Sequence, residues 1–426
     1  MQKIRNTLSI TLSSPTNEMK NLMSKPNRTI IASFASALSD SDNLEAINTF
    51  EEGHYVLHVA CASGTNQRSP LSCALSDRSI QSYDRETLKH IHTIKDAHSK
   101  RITDLTQSSV ASSGDTNDCP LIVSSSEDRL VKIFDLRMKG TQPAVCLGLA
   151  KEEALSVSIG YGGSLAAVGG SKGQIHFYDL RNISGSNIYA PLGSYVDAHT
   201  EEVTKVRFQN ANNGSNDTTS IMVTASEDGL VNIFDTSQPS EELALKSVMN
   251  IQSPLREVGF FGPSLEGIFC LTGSETFSVW HYDSAQRIVD FGDMRTMLSA
   301  NSNIPIHYMI GCHWDGRDLN LLSGNTNGDC AMFKVDVGNI SLKQILTGGH
   351  KSSIRSFTAL NNNVIITGGE DSRMCEWNVN KSNNAPNMSP GISRMATEAS
   401  VSESNPPQVG GGAIRRHKKK TEHRPY

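Results

Sequence analysis

Short runs in which β-branched and aromatic residues alternate with polar ones fill the middle of the chain. They are strand chemistry and too short for helices. The clearest stretch runs from His199 to Asp235. Val203, Lys205 and Arg207 alternate with Thr204, Val206 and Phe208, then Ile221, Val223 and Thr224 lead into a turn and a third run ending at Asp235. This predicts an antiparallel meander. Asp228-Gly229 between two such runs is a tight-hairpin signal that predicts a primed turn. His199, just before the first strand, is placed to hydrogen-bond Asp228, a bond that is structural rather than catalytic.

The unit repeats. Taking the turn position as anchor, an aromatic follows six residues later throughout: Asp77 and Tyr83, Asp128 and Phe134, Lys172 and Tyr178, Asp228 and Phe234, Ser274 and Trp280, Asn327 and Phe333, Asp371 and Trp377. Successive aromatics lie about 44 to 56 residues apart, near the period of a four-stranded propeller blade with loop insertions. Seven units predict a seven-bladed ring.

With a loop His, a turn Asp and an aromatic-Asp ending, the pattern resembles the WD-repeat (WD40) family. The endings read Tyr83-Asp84, Phe134-Asp135, Tyr178-Asp179 and Phe234-Asp235, with looser versions at Trp280, Phe333 and Trp377, and no blade carries the literal Trp-Asp pair. His350, Thr367, Asp371 and Trp377 occupy the places of the family's hydrogen-bonded tetrad, whereas His98 with Asp128 and His199 with Asp228 meet a Phe, which lacks the indole N–H. The resemblance covers residues 29 to 380 as a fold. It is most specific in the fourth blade with EELAL after it, in GGHKSSIRSF and TGGED of the seventh, and in the basic C-terminus. It implies an all-β, seven-bladed WD40 β-propeller over residues 28–380, between a disordered segment 1–27 and a disordered basic tail 381–426. It also implies a non-catalytic scaffold or adaptor that binds other proteins. Some family members are instead substrate receptors of cullin-RING ubiquitin ligases.

Composition narrows the function classes. About fifty residues for each of seven blades use nearly all of the 426 residues in one ring. Nothing approaches eighteen consecutive apolar residues, so no membrane span is expected. Eight scattered cysteines without a Cys-x-x-Cys pair point to an intracellular protein of the nucleus or cytoplasm. The net charge is −5, but the tail from Lys381 carries about +5 and the first 28 residues about +4, leaving the body near −14. An acidic body argues against nucleic acid on the ring and leaves only the basic tail for such contact. His90 and His92 share a strand face without a third metal ligand, and the glycines between Gly160 and Gly173 lack a following Gly-Lys-Ser/Thr. We therefore expect no metal, cofactor or catalytic residue.

In chain order, Arg28 to Leu38 is a strand without a blade, while the seventh blade runs out of strands after Trp377. The first is expected to complete the second and close the ring. Polar insertions interrupt blades two and four after their first strands, and blade five has lost both loop His and turn Asp. Three surfaces are candidates for partners. Entry loops of blades three and four carry Glu152-Glu153 and Glu201-Glu202 at matching positions, beside Lys100-Arg101 and Lys351 in blades two and seven. Arg137 and Arg181 each lie two places after a blade-ending Asp, the pattern that the resemblance associates with a ligase adaptor. Arg415, Arg416, Lys418, Lys419 and Lys420 form a candidate nuclear-localisation signal.

Overall fold

The computed structural model describes residues 28–33, 53–61, 69–110, 119–138, 140–181, 188–209 and 219–379. Among these, seven sheets succeed one another along the chain. The first strand of each packs against the first strand of the next, and the seventh returns to the first. The chain is thus a seven-bladed propeller with its first strands around a central channel. The basic tail with Arg415 to Lys420, the N-terminal segment, and the insertions at 111–118 and 210–218 lie outside the described residues.

Blade four shows how the local sequence makes the sheet. Val203–Phe208, Ile221–Ser226, Leu230–Asp235 and Leu245–Asn250 pair in chain order. Its two middle strands are buried along nearly their whole length because neighbouring blades cover both faces. That double burial is why IMVTAS and LVNIFD read as near-continuous apolar runs.

The sixth residue after each turn has one job in all seven blades. Tyr83, Phe134, Tyr178, Phe234, Trp280, Phe333 and Trp377 are all buried, and each packs on the preceding blade. Phe134 meets Ile80 and Ile94, Tyr178 meets Val131 and Leu147, and Trp377 meets Leu346 and Cys330. Tyr83 sits against Ile366 and Met374 of the last blade, so the seam between last and first is of the same kind. Burying each such side chain contributes roughly 1.5–3 kcal/mol.

The hairpin at Asp228-Gly229 differs from the primed turn expected. Only Gly229 has a positive φ, 80°, and its N–H bonds Ser226 O at 3.3 Å, which describes an ordinary turn closed by one left-handed residue. The equivalent residue is left-handed in every blade, being Arg78, Arg129, Gly173, Glu275, Gly328 and Ser372 elsewhere.

Blade seven takes its three chain-order strands from Ile354–Asn361, Val364–Gly369 and Arg373–Asn378, and its fourth from Arg28–Ser33. The N-terminal strand runs antiparallel to Arg373–Asn378 with Arg28 opposite Trp377. Blade two gains a short fifth strand, Ile188–Tyr189, parallel to its outer edge, which the sequence did not announce. A helix at Arg295–Ser302 was equally unannounced, and buries Leu298 in the core between blades five and six. Because the ring is completed by a strand more than 300 residues away from its neighbour, deleting residues 1–40 should lower the melting temperature by roughly 5 °C or more. Scanning calorimetry of the truncated chain checks this, and an unchanged melting temperature would refute it.

Candidate functional site

The loop His of blades two, four and seven turns inward. His98 Nδ1 lies 3.0 Å from Asp128 and Nε2 lies 2.8 Å from Ser124 Oγ. His199 bonds Asp228 at 3.1 Å and Thr224 at 2.8 Å, and His350 bonds Asp371 at 2.9 Å and Thr367 at 2.8 Å. An ionised carboxylate only accepts, so Nδ1–H donates to Asp and Nε2 accepts the hydroxyl proton. In blade seven Trp377 Nε1–H donates to Thr367 Oγ1 at 2.7 Å, completing the chain. Burial would raise the Asp128 carboxyl, but the hydrogen bond from His98 and the N–H groups of Ser99 and Leu130 bring it down to about 2. Asp228 is held at about 2 in the same way by His199, and Asp371 is lowered by His350. These residues lock entry loops to hairpin turns.

Blade three reaches a similar result with reversed parts, and one expectation must be corrected. Glu152 is not on the surface. It is 4% exposed, its carboxylate accepts Lys172 N–H at 2.8 Å, and it pairs with His176 Nε2 at 2.6 Å. The reason is Gly170, where a Cβ would meet the Glu152 carboxylate at 1.9 Å. Blade four has Ser226 at the matching place, and there Glu201 stays outside. Glu152 therefore leaves the acidic surface. The carboxylates that do gather are Glu153, Glu201, Glu202 and Glu227, the last missed by sequence reasoning. Partial burial raises the Glu202 carboxyl, and Glu227, Glu153 and Glu201 raise it further. Basic residues border them, with Lys100 3.1 Å from Glu153 and Arg101 2.9 Å from Glu127.

The first strands carry a second feature that was not foreseen. Each shows a register shift at the same place, skipping Leu57, Thr103, Leu155, Thr204, Arg256, Ile310 and Arg355. The residues after these bulges are His58, Asp104, Ser156, Lys205, Glu257, Gly311 and Ser356, and all but the buried Ser156 line one cavity at the channel. Asp104 is the hub of this layer. Its Oδ2 accepts from Ser156 Oγ at 2.7 Å, Arg207 Nη1 at 3.0 Å and Val157 N at 3.3 Å, while Ser156 Oγ accepts Val206 N–H at 3.1 Å. Burial alone would raise the Asp104 carboxyl, yet Arg207, Lys205 and His58 with the Ser156 hydroxyl hold it far below the usual range. Blades two, three and four are thereby stitched at the channel. The His58 imidazole is pushed down to about 4 by burial, which the Asp104 carboxylate offsets only in part.

On the face opposite the His loops, Arg137 and Arg181 fold back identically. Arg137 Nη2 lies 2.7 Å from Asp135, and Arg181 Nη2 lies 2.6 Å from Asp179, each with a second bond through Nε. Both guanidinium groups remain well exposed. His90 and His92 do not cooperate, bonding Thr93 Oγ1 and Gly140 O instead. Among the described residues no helix is long and apolar enough to cross a membrane.

Comparison with known proteins agrees with this architecture. Residues 88–135, from the outer strand of blade one to the third strand of blade two, match the family model "WD domain, G-beta repeat". The chain is 28% identical to a WD repeat-containing protein 89 homolog of Dictyostelium discoideum, over 61% of this chain and 69% of that protein. It is 27% identical to the WD repeat-containing protein GTS1 of Arabidopsis thaliana, over 72% of this chain and 77% of that protein. An uncharacterized WD repeat-containing protein of Saccharomyces cerevisiae is 29% identical over 44% of this chain and 46% of its own length.

The charge layer makes stability depend on pH in two stages. The unfolded chain takes up a proton at His58 near pH 6.5, the folded chain only near pH 4, so stability is full above 6.5 and falls as pH drops to 4. That shift amounts to at most about 3 kcal/mol. The turn carboxylates Asp128 and Asp228 act lower, contributing above 3.8 and losing their contribution as pH falls to about 2. His58→Gln should flatten the upper stage and leave the lower one, as read by urea denaturation between pH 7 and pH 4. A variant with the wild-type slope would sink the assignment.

Proposed function

We propose, from its likeness to WD-repeat proteins, that the chain is a non-catalytic scaffold whose entry-loop face binds a basic segment of a partner protein. The observation that carries this reading is the grouping of Glu153, Glu201, Glu202 and Glu227, close enough for the other three to raise the Glu202 carboxyl. Rigid loops hold them, because His199, Asp228 and Thr200 fix the blade-four entry on one side of the group. Neighbouring carboxylates on fixed loops create a local negative potential that steers cations to them, although each exposed pair contributes only about 0–1 kcal/mol. The absence of catalysis is supported by the use of His98, His199 and His350 as loop locks, each with both ring nitrogens engaged. Reversal of charge at Glu201 and Glu202 to Lys should slow association with a lysine-rich peptide about tenfold at low salt and leave the melting temperature unchanged. Stopped-flow measurement at two salt concentrations decides it, since a rate indifferent to both changes would mark the patch as ordinary surface.

A second reading rests on the identical Arg137–Asp135 and Arg181–Asp179 forks, presented by adjacent blades on the opposite face. Two guanidinium groups held at fixed spacing by short bidentate contacts are a pre-ordered docking feature. On this reading they engage the adaptor of a cullin-RING ligase, and the propeller is its substrate receptor. The Arg137→Ala, Arg181→Ala double variant should keep its melting temperature and lose adaptor co-precipitation. Failure of the wild type to retrieve adaptor ends this second reading and leaves the first intact.

A further inference from the structure

The channel wall carries more donors than the fold itself uses. At the bulge layer the channel widens into a cavity of about 360 Å³, within the size range of small-molecule sites. Four cationic side chains line it, Lys205, Arg207, Arg256 and Arg355, against two carboxylates, Asp104 and Glu257; Arg256 also faces Glu275 and donates to Met309 O, and Arg355 pairs with Glu370, which leaves each guanidinium with further N–H groups. Asp104 is already saturated by Ser156, Arg207 and the backbone N–H groups of Val157 and Leu105.

Lys205 is in the opposite condition. Its side chain is only 14% exposed, yet the nearest carboxylate oxygens stand 3.5 Å away on Asp104 and 3.9 Å away on Glu257. An ammonium has three donors, and only one long bond, to Asp104 Oδ1 at 3.5 Å, engages them. Elsewhere on the same wall, the buried Ser356 Oγ and Arg256 Nε have no hydrogen-bond partner among the described residues. Buried donors left in this state cost free energy, so their concentration around one cavity needs a reason.

We propose that the channel is a binding site for a small phosphate-bearing anion, held by Lys205, Ser356 and the guanidinium groups of Arg256 and Arg355. The donors come from blades four, five and seven and so approach from different directions. A planar carboxylate matches one guanidinium fork, whereas a tetrahedral phosphate offers acceptor oxygens on every side. The two imidazoles on the wall fit this occupant, since burial makes both His58 and His313 harder to protonate and a bound dianion would draw a proton toward them. The site lies apart from the acidic loops, and its test is independent of the scaffold reading.

The full chain titrated calorimetrically with inorganic phosphate, and separately with ribose 5-phosphate, should show saturable binding by at least one of them. Sodium chloride at matched ionic strength should not reproduce it, and the His58 ring should titrate at a higher pH by NMR when the ligand is present. Lys205→Met should weaken binding by about tenfold or more. Ser356→Ala removes a hydroxyl without a partner in the fold, so the free protein should keep its melting temperature while binding weakens about threefold. If Lys205→Met does not fold, the Ser356→Ala result stands as the test. Binding of neither phosphate beyond the chloride response, or unchanged affinity in Ser356→Ala, overturns the proposal.

Discussion

A sheet with two apolar faces cannot stand alone in water, and every blade of this protein has two. The only surface that can cover a blade is another blade, so the ring either closes or leaves a pair of faces bare. Closure is secured at three levels. The strand Arg28–Ser33 pairs with Arg373–Asn378, Tyr83 of the first blade packs on Ile366 and Met374 of the last, and Arg85 donates to Leu360 O across the same seam. Hydrogen bonds, apolar contact and a half-buried guanidinium thus converge on one junction.

Much of this was legible because it follows from local chemistry. The offset of six residues from turn to aromatic is the distance along a third strand from the hairpin to the place where a large side chain meets the previous blade, and it persists in blades that lost the His and the Asp. Faces were harder to read. Alternation placed Val203 with Lys205 and Arg207, but the bulge at Thr204 resets the side-chain period, so Val203, Val206 and Phe208 are buried while Lys205 and Arg207 line the channel. Glu152 and Glu201 hold identical places in sequence and opposite ones in space, because the decisive residue is Gly170 on a neighbouring strand. No pattern within one strand carries that information.

The seams between blades differ in chemistry although they share a geometry. Blades two to four are joined through Asp104 and Ser156. Between five and six, where the loop His is missing, the Glu275 carboxylate accepts Met309 N–H at 2.7 Å while Arg256 donates to Met309 O. Between six and seven, Tyr308 Oη accepts Ile354 N–H at 2.7 Å. Buried polar links of this kind add little over an apolar equivalent, but removal of one partner strands the other and costs about 3–5 kcal/mol when it is charged. Polar seams of different chemistry make each blade fit its own neighbours better than it would fit any other.

The recurring bulge separates two tasks that most strands combine. It turns consecutive residues toward the axis, as Arg256 with Glu257 and Arg355 with Ser356 show, while the residue just before it, buried in all seven blades, continues to fill the space between sheets. Apart from Asp104, Ser156 and Arg256, which do both, positions that speak to the channel are therefore different positions from those that hold the ring. Substitution at the remaining axial positions can change what the lumen recognises without passing through a misassembled ring, so those positions are free to acquire new ligands at a pace the packed blades could never tolerate.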